Sequence, residues 1–565
     1  MIIVGINKFH NSSVALLKDG EVLFFIENER LSNIKYHDVA FQAVSQISNY
    51  VDHIDHLIIA GLSKSTPFDN YRNTSVYVSQ ILGLNKSFSK KGFIDYDYWD
   101  NHHEMHAATA FYNSGFKTAL CIVKDGLGSE YFFNSSNITE PRGYGRENGS
   151  SFIFSYPNTS KLIDKHIYYP DQLSKTKHYI NDSTYVTDSF SEGTAFEATC
   201  LKFGFGMFDA GKVMGMSSYG KEDATIPNIY TDSGLINTEV FDYNKTTNLI
   251  IDPRTPVLKF STLGDFQSQA NFAAKLQTQV QEHVTKYILE MLEKTGEKNL
   301  CLSGGFFLNC VANYHLLKNL PADVQIYVEP ISSDAGNALG AAKFLYHKLT
   351  KDTTIRPQTN IYYGLKHDIK LSDLKDEKVI ENVTPTDVAK LLADKKIVAL
   401  YQGRSEAGPR ALGNRSILYD PRDPKGKDHV NTVKNREWFR PFAGTVLLEK
   451  ARDWFDLKSL TESKFMMFAV DVWPDKQPLI PAITHVDGTC RVQTLKREDN
   501  PNYYDLIQEF DKLTGVPIVF NTSFNLAGNT IVESLKDALW TIHNSSIDYL
   551  YLPELRVLIT KDKEW

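Results

Sequence analysis

The chain has 565 residues, more than one hydrophobic core usually organises, so at least two domains are expected. Its 42% hydrophobic and 23% charged residues are ordinary for a globular protein, and its net charge of −7 gives no electrostatic footprint for duplex DNA or an anionic membrane. Five scattered cysteines without CxxC spacing predict reduced thiols. The sequence has no apolar run long enough to span a bilayer and no signal-peptide pattern at its start, so we expect a cytoplasmic protein without membrane contact.

The chain opens with a strand-rich segment over residues 2–30, and a similar segment follows over residues 118–136. Each has a buried strand, a turn and returning strands, with β-branched and aromatic residues bounded by Gly, Asn, Asp and Ser. This pattern predicts a hairpin-led α/β unit that is used twice.

Between these segments, DNHHEMHAATAF carries His102 and His106, which a helix would place on one face. Asp125 in KDGLGS and Asp334 in ISSDAGNALGAA lie in glycine-rich turns that favour close approach of a phosphate. Together they predict an N2O2 metal site, suited to zinc or ferrous iron. A chance HxxxH pair on a solvated helix is the alternative for the histidines alone.

A long amphipathic helix is predicted within residues 265–297, followed by NLCLSGGFFLNC, which indicates a strand, a Gly-Gly turn and a helix start. Such joints can present backbone N–H groups to phosphate, although Gly304 and Gly305 are also compatible with an ordinary turn. Residues 347–364 lose the hydrophobic periodicity and are interpreted as the interdomain linker.

The last 200 or so residues predict a second α/β domain with cations near the ends of its elements. These are Arg404, Arg410, Arg415, Lys434, Arg436, Arg440 and Arg491. Clustered among Gly, Pro and Ser, they indicate an anion pocket, whereas salt-bridge roles are the alternative for each one alone. Asn521, Ser523 and Asn525 follow a strand and can hydrogen-bond a small planar group such as an amide.

Ordered motifs along essentially the whole chain resemble those of the O-carbamoyltransferases typified by nodulation protein NodU and by antibiotic-tailoring enzymes such as TobZ. They include GINKFHNSSVALLKDG, HHEMHAATAF, GKVMGMSSYG, CLSGGFFLN, SDAGNALGAA, GPRALGNRS, KNREWFRPFAG, THVDGTCRVQT and VFNTSFN. The resemblance implies an N-terminal Kae1-like domain of the duplicated actin/hexokinase/Hsp70 superfold over residues 1–355. It also implies a YrdC-like α/β domain over residues 356–565.

The family resemblance implies two reactions and assigns residues to them. The YrdC-like domain would make carbamoyl adenylate and pyrophosphate from carbamoyl phosphate and ATP, and the Kae1-like domain would pass the carbamoyl group to a hydroxyl of a small molecule. The carbamoyl phosphate site would comprise Arg410, Lys434, Arg440, Arg491, Asn521 and Ser523. The nucleotide site would comprise Gly126, Gly128, Lys212, Gly304, Gly305, Asn309, Gly336 and Asn337.

The same resemblance makes His102, His106, Asp125 and Asp334 the ligands of one divalent metal ion, expected to be Fe2+ with Zn2+ or Mn2+ as alternatives, while Mg2+ would accompany ATP. His10 would activate the acceptor, because a neutral imidazole suits removal of a hydroxyl proton. A structural histidine bonded to its own loop is the alternative. Asn11 departs from the family, whose members often carry Asp there, which affects how the imidazole is oriented.

The sequence does not decide which molecule accepts the carbamoyl group or whether the protein forms a homodimer. It also admits several other functions. A sugar, an antibiotic or another natural product fits the family, whereas a composition rich in Asn, Lys, Tyr and Ile also admits a hydroxymethylated pyrimidine, as nucleotide or DNA base. A tRNA threonylcarbamoylation enzyme and a noncatalytic nucleotide switch are further alternatives. Direct binding to nucleic acid is not expected from the charge.

Overall fold

The structure is a computed structural model that describes residues 1–62, 71–89, 91–133, 143–169, 177–237, 239–243, 256–260 and 263–561. It divides into two compact units. The first comprises Met1–Leu23 and Asp38–Gln358, and the second comprises Phe24–His37 and Thr359–Trp565. The expected two-part α/β architecture is therefore confirmed at this level.

The chain begins with a five-stranded sheet ordered β3-β2-β1-β4-β5. Its strands are β1 (Ile2–Asn7), β2 (Ser13–Lys18), β3 (Glu21–Glu27), β4 (His56–Ala60) and β5 (Ile94–Asp97). β1 pairs antiparallel with β2 and parallel with β4, and β4 pairs parallel with β5. β1 is fully buried, as its run of aliphatic residues predicts.

The second sheet of this unit repeats the same order of hairpin and parallel strands as β9-β8-β6-β14-β15. Its strands are β6 (Thr118–Lys124), β7 (Glu130–Phe133), β8 (Gly143–Ser155), β9 (Thr159–Tyr168), β10 (His178–Asn181), β11 (Thr184–Thr187), β14 (Asn299–Ser303) and β15 (Gln325–Val328). β12 (Phe241–Tyr243) and β13 (Pro256–Leu258) form a separate antiparallel pair. The predicted reuse of a hairpin-led unit matches these two sheets.

The chain contains helices α1 (Glu29–Ser32), α2 (Phe41–Ser45), α3 (Tyr71–Gly83), α4 (His102–Ser114), α5 (Glu192–Lys202), α6 (Ala210–Ser217), α7 (Phe266–Thr295), α8 (Cys310–Asn319) and α9 (Gly336–Thr350) before the second unit resumes. α7 starts at an Asp265 capping box and ends at Gly296 with φ of 68°, as predicted.

Helices α4 and α9 pack against each other between the two sheets. α9 lies on β1, β2 and β4, whereas α4 lies on β6, β8 and β14. The helices approach closely at Gly340, where a β-carbon would lie 2.3 Å from the carbonyl oxygen of Met105. This packing brings the start of α4 and the turn before α9 toward the ends of β1, β6 and β14.

The second unit is built on a ten-stranded sheet ordered β16-β25-β24-β17-β18-β23-β19-β22-β21-β20. Its strands are β16 (Lys378–Ile380), β17 (Val398–Tyr401), β18 (Arg415–Tyr419), β19 (Ala443–Leu447), β20 (Phe455–Asp456), β21 (Ala469–Val472), β22 (Thr489–Leu495), β23 (Ile518–Ser523), β24 (Tyr549–Leu552) and β25 (Val557–Thr560). The helices are α10 (Pro385–Ala393), α11 (Gly426–Val433), α12 (Leu448–Trp454), α13 (Pro501–Thr514) and α14 (Leu535–His543). Among all described helices, none combines the length and apolarity needed to cross a membrane.

Candidate active site

Four side chains predicted to bind a metal converge in the first unit. His102 and His106 lie one turn apart at the start of α4, Asp125 directly follows β6, and Asp334 lies in the turn before α9. All four residues are buried, and one ligand atom from each lies within 4.8 Å of the others. The predicted metal-ligating residues are therefore brought together by the fold.

The spacing of these ligand atoms suits one ion. The two imidazole Nε2 atoms are 3.2 Å apart. Their distances to Asp125 Oδ2 and Asp334 Oδ1 run from 3.3 to 3.6 Å. An ion bound tetrahedrally at about 2.05 Å separates neighbouring ligand atoms by about 3.3 Å, so this donor set fits a divalent metal with nitrogen and oxygen ligands.

The outer atoms of the ligands are held by neighbouring groups. His102 Nδ1 is 3.2 Å from the Asn337 side-chain amide, and His106 Nδ1 is 3.4 Å from Ser303 Oγ. When the side-chain oxygen of Asn337 is oriented toward His102, the Nδ1–H of His102 donates to Asn337 and the Nδ1–H of His106 donates to Ser303 Oγ. The Nε2 atom of each ring then faces the centre of the cluster and is free to bind a metal ion. The Gly305 N–H donates to Asp125 Oδ1 at 3.0 Å, which fixes that carboxylate.

The electrostatics of the cluster favour a cation. Burial alone lowers the pKa of His102, but the charges and hydrogen bonds of Asp334 and Asp125 raise it to about 10. Burial would raise the pKa of Asp125, yet its hydrogen bonds to the two histidines hold it well below the usual range. The carboxylates of Asp125 and Asp334 are thus ionised although they are buried, and a positive charge between them would stabilise both.

His10 lies in the turn after β1, with Nε2 3.3 Å from Asp334 Oδ2. The neighbouring backbone is unusual, because Phe9 has φ of 114° and Asn11 has φ of 59°. His10 Nδ1 is 3.0 Å from Asn11 Oδ1, and its ring lies 4.9 Å from that of Phe208. Strained backbone of this kind is typical of functional sites. A proton-accepting side chain therefore lies at the edge of the metal cluster.

Glu197 is a neighbour of the cluster that the sequence did not reveal. It lies on α5, whose first turn is held by the Ser191 and Thr194 hydroxyls donating to the Gly126 carbonyl. A β-carbon on Gly126 would lie 2.7 Å from Glu197 Oε1, so the carboxylate packs on that glycine. Burial and the charges of Asp125 and Asp334 raise the pKa of Glu197 to about 7, whereas His10 lowers it. Nothing in the local sequence distinguishes this residue from an ordinary helix-surface glutamate.

The glycine-rich turns predicted to hold a nucleotide surround the cluster, but many of their amides already donate within the protein. The N–H groups of Gly128, Gly305, Asn309, Gly336 and Asn337 donate to Glu147 O, Asp125 Oδ1, Phe306 O, Ser333 O and Asp334 O, respectively. Since each amide has one hydrogen, a phosphate in this region would rely on other groups of these turns.

The remaining predicted nucleotide residues have separate local roles. Gly304 has φ of 98°, and a β-carbon there would lie 2.1 Å from the Lys124 carbonyl oxygen, so only glycine permits this turn. The Asn309 side chain caps α8 by accepting the Ala312 N–H at 3.1 Å. Lys212 on α6 forms a 3.0 Å ion pair with Asp209.

The second unit contains a cluster of like charges. Lys434 is buried after α11, and its Nζ donates to the Ser523 carbonyl and to Asn525 Oδ1. Burial lowers its pKa, and the charges of Arg436, Arg440 and Lys35 lower it further. Burial, Arg440 and Arg491 likewise lower the pKa of Arg436 to about 9. Such mutual repulsion favours binding of a polyanion.

The predicted cations divide into two groups in the structure. Lys434, Arg436, Arg440 and Arg491 influence one another, and Arg410 lies half-buried in the loop before β18. Arg404 and Arg415 instead donate to backbone carbonyls, Arg404 to Gly364 and Arg415 to Gln402 among others. For these two arginines the predicted place in the anion pocket is wrong, because their guanidinium groups fix loops.

The neutral residues predicted for this pocket are also engaged within the unit. Asn521 on β23 is fully buried and donates to the Ala411 carbonyl and to Thr445 Oγ1. Ser523 Oγ donates to Asn525 Oδ1 at 2.7 Å. Lys35 was missed by sequence reasoning, because it lies almost 400 residues before Lys434 in the chain.

Comparison with known proteins identifies the family. The model of the carbamoyltransferase N-terminus matches residues 2–343, and that of the carbamoyltransferase C-terminus matches residues 389–559. Nodulation protein NolNO of Sinorhizobium fredii is 30% identical, with 96% of this chain and 78% of that protein covered. Nodulation protein NolO of Bradyrhizobium diazoefficiens is 34% identical, with coverage of 80% and 77%.

A solved structure, T. kodakarensis HypF, is 14% identical with a TM-score of 0.38, and the match covers 63% of this chain and 49% of HypF. A similarity at this level does not define the fold. The family matches span most of the chain and agree with the resemblance of its motifs. The chain therefore belongs to the carbamoyltransferase family and is a transferase.

Proposed function

We propose that this protein is an ATP-dependent O-carbamoyltransferase that makes carbamoyl adenylate in the second unit and transfers its carbamoyl group to a hydroxyl in the first. The observation that carries the proposal is the buried set of two histidines and two aspartates with a further imidazole, His10, 3.3 Å from Asp334. Membership of the carbamoyltransferase family supplies the reaction class.

In the first reaction, carbamoyl phosphate, ATP and water give carbamoyl adenylate, pyrophosphate and phosphate. Lys434, Arg436, Arg440 and Arg491 would hold the anionic substrates, because their like charges destabilise one another until anions bind. Arg410 would support them, and Asn525 and Ser523 would keep the Lys434 ammonium oriented. The proposed YrdC-like character of this unit rests on the family resemblance.

In the second reaction, the His10 imidazole accepts the proton of the acceptor hydroxyl while the oxygen attacks the carbamoyl carbon. A new C–O bond forms, the bond from that carbon to the phosphate oxygen breaks, and AMP leaves. A divalent ion held by His102, His106, Asp125 and Asp334 would supply Lewis-acid polarisation of the carbamoyl oxygen. Asp334, which lies beside His10, would stabilise the imidazolium that forms.

Several finer assignments belong to the same proposal. The repeated strand order of the two sheets supports the actin/hexokinase/Hsp70 superfold for the first unit. Fe2+ is the proposed ion, with Zn2+ and Mn2+ as alternatives, and the protein is proposed to work in the cytoplasm on a small-molecule alcohol. A hydroxymethylated pyrimidine is one of the alcohols to be tested.

The proposal is tested by measuring the two reactions separately. Carbamoyl phosphate should trigger pyrophosphate release from ATP, and alcohols should gain about 43 Da, one carbamoyl group replacing a hydrogen. Arg491→Ala should abolish pyrophosphate release, whereas His10→Asn should retain it and lose transfer.

The matched control is His53→Asn, which changes a partly exposed histidine that pairs with Asp52 and should retain both reactions. Absence of carbamoyl-dependent pyrophosphate in the unmodified protein would reject the two-step scheme. Equal loss of both reactions in His10→Asn would reject the assigned role of His10.

A further inference from the structure

Glu197 faces the metal cluster from a helix that is fixed against the same turn as Asp125. Gly193 and Glu197 lie one helical turn apart, so both present the same face of α5 to Gly126. A β-carbon on Gly193 would lie 2.9 Å from the Gly126 nitrogen, and one on Gly126 would lie 2.7 Å from Glu197 Oε1. The helix therefore has little freedom to move the carboxylate away from the site.

The Glu197 carboxylate differs from the other buried glutamates near it. Glu192 pairs with Lys124 at 3.2 Å, and Glu147 pairs with Lys165. In the described part of the chain, no side chain or backbone amide donates a hydrogen bond to Glu197, and no cation pairs with it. A partly buried carboxylate without a protein donor can accept hydrogen bonds from water or from a ligand.

The surroundings of His10 include exposed apolar side chains. Phe9 and Phe208 flank the His10 ring at centroid distances of 5.1 and 4.9 Å. Their side chains are 45% and 39% exposed, and Met207 next to them is 37% exposed. Exposed aromatic rings around a catalytic imidazole are suited to packing against the carbon skeleton of a ligand.

We propose that Glu197 and His10 form a two-point acceptor clamp that selects alcohols with a second hydrogen-bond donor, a hydroxyl or an amine, on the carbon next to the reacting hydroxyl. The inference rests on the proposed carbamoyl transfer and deepens it by assigning the acceptor class. His10 takes the proton of the reacting hydroxyl, whereas Glu197 accepts a hydrogen bond from the neighbouring donor and takes no proton. Phe9 and Phe208 contact the carbon skeleton.

The test compares three alcohols that share one secondary hydroxyl: propan-2-ol, propane-1,2-diol and 1-amino-2-propanol. The product carbamoylated on oxygen is measured by mass spectrometry with the full-length, metal-loaded protein. Pyrophosphate release is followed in the same samples, so that failure of adenylate formation is recognised separately.

The unmodified protein should prefer the diol or the amino alcohol over propan-2-ol in kcat/KM by roughly 10- to 100-fold, the range for a hydrogen bond to a charged group. Glu197→Ala should reduce this preference at least fivefold, and Glu197→Gln, which still accepts a hydrogen bond, should reduce the diol preference less than that of the amino alcohol. Glu293→Ala, at an exposed position on α7, is the matched control and should keep the full preference.

Different failures have different meanings. An equal preference in Glu197→Ala and the unmodified protein, no preference in the unmodified protein, or pyrophosphate release without transfer to any of the three alcohols would overturn the clamp. Absence of carbamoyl-dependent pyrophosphate would overturn the proposed function and the clamp with it. A larger effect with the amino alcohol than with the diol would identify an ammonium group as the preferred partner of Glu197.

Discussion

Replacing Asn337 by leucine tests how the metal ligands are oriented. Asn337 is buried, and its amide lies 3.2 Å from His102 Nδ1. A ring that binds metal through Nε2 must keep its proton on Nδ1, and without Asn337 that N–H loses its acceptor. A metal-free ring avoids most of this penalty because it can release the proton or rotate. The change should therefore weaken metal binding more than it weakens folding.

An unsatisfied buried donor costs about 1–3 kcal/mol, which corresponds to roughly 5- to 150-fold weaker metal binding. Affinities for Co2+ and Zn2+ would be measured by competition with a fluorescent chelator. Asn337→Asp still accepts the hydrogen bond and should retain most of the affinity, and Asn319→Leu, at an exposed end of α8, is the matched control. Tight metal binding by Asn337→Leu, equal to that of the unmodified protein, would refute the proposed orientation.

Three further changes probe the turn, the buried charge and the anion pocket. Gly304→Ala should lower the free energy of unfolding by at least about 2 kcal/mol in chemical denaturation, because of its φ of 98° and a backbone oxygen 2.1 Å from the new carbon, whereas Gly211→Ala in open space should be neutral. Burial lowers the pKa of Lys343 to about 8, so above pH 8 the folded chain releases a proton that the unfolded chain keeps up to pH 10.5. The free energy of unfolding, measured relative to Lys343→Met, should therefore rise by roughly 3 kcal/mol between these two pH values. A difference in unfolding free energy that does not change with pH would contradict this. Arg436→Met should weaken pyrophosphate binding in calorimetry by roughly tenfold or more, while Lys390→Met at an exposed position should not.

The sequence was most informative where a functional residue lies at the end of an element with a local signature. Asp125 follows an aliphatic strand, and the helical spacing of His102 and His106 identifies a shared face. Asp334 lies 209 residues after Asp125, so no local pattern links the two. Its assignment to the metal site came from the resemblance of the ordered motifs to those of the family. The fold explains that joining, because α9 packs on both β1 and α4.

Other residues depended on tertiary contacts that no local pattern encodes. Glu197 lies within a helix, and only the contact of α5 with Gly126 turns its carboxylate toward the cluster. Arg415 begins β18 and Arg436 follows α11, yet the first donates to carbonyls and the second lies among like charges. Whether an arginine supports a loop or binds a ligand is decided by which oxygens the fold brings near it.

The segment Phe24–His37 makes the second unit discontinuous in the chain, which bears on how the protein is dissected. Arg30 donates to the Gly408 carbonyl at 2.7 Å, the Gly408 N–H donates to Glu27, and Asn33 contacts Thr530. A fragment that starts at residue 359 would lose these contacts together with Lys35. The carboxyl-terminal segment therefore does not contain the whole second unit, and an autonomous version needs Phe24–His37 fused to it or supplied as a separate peptide.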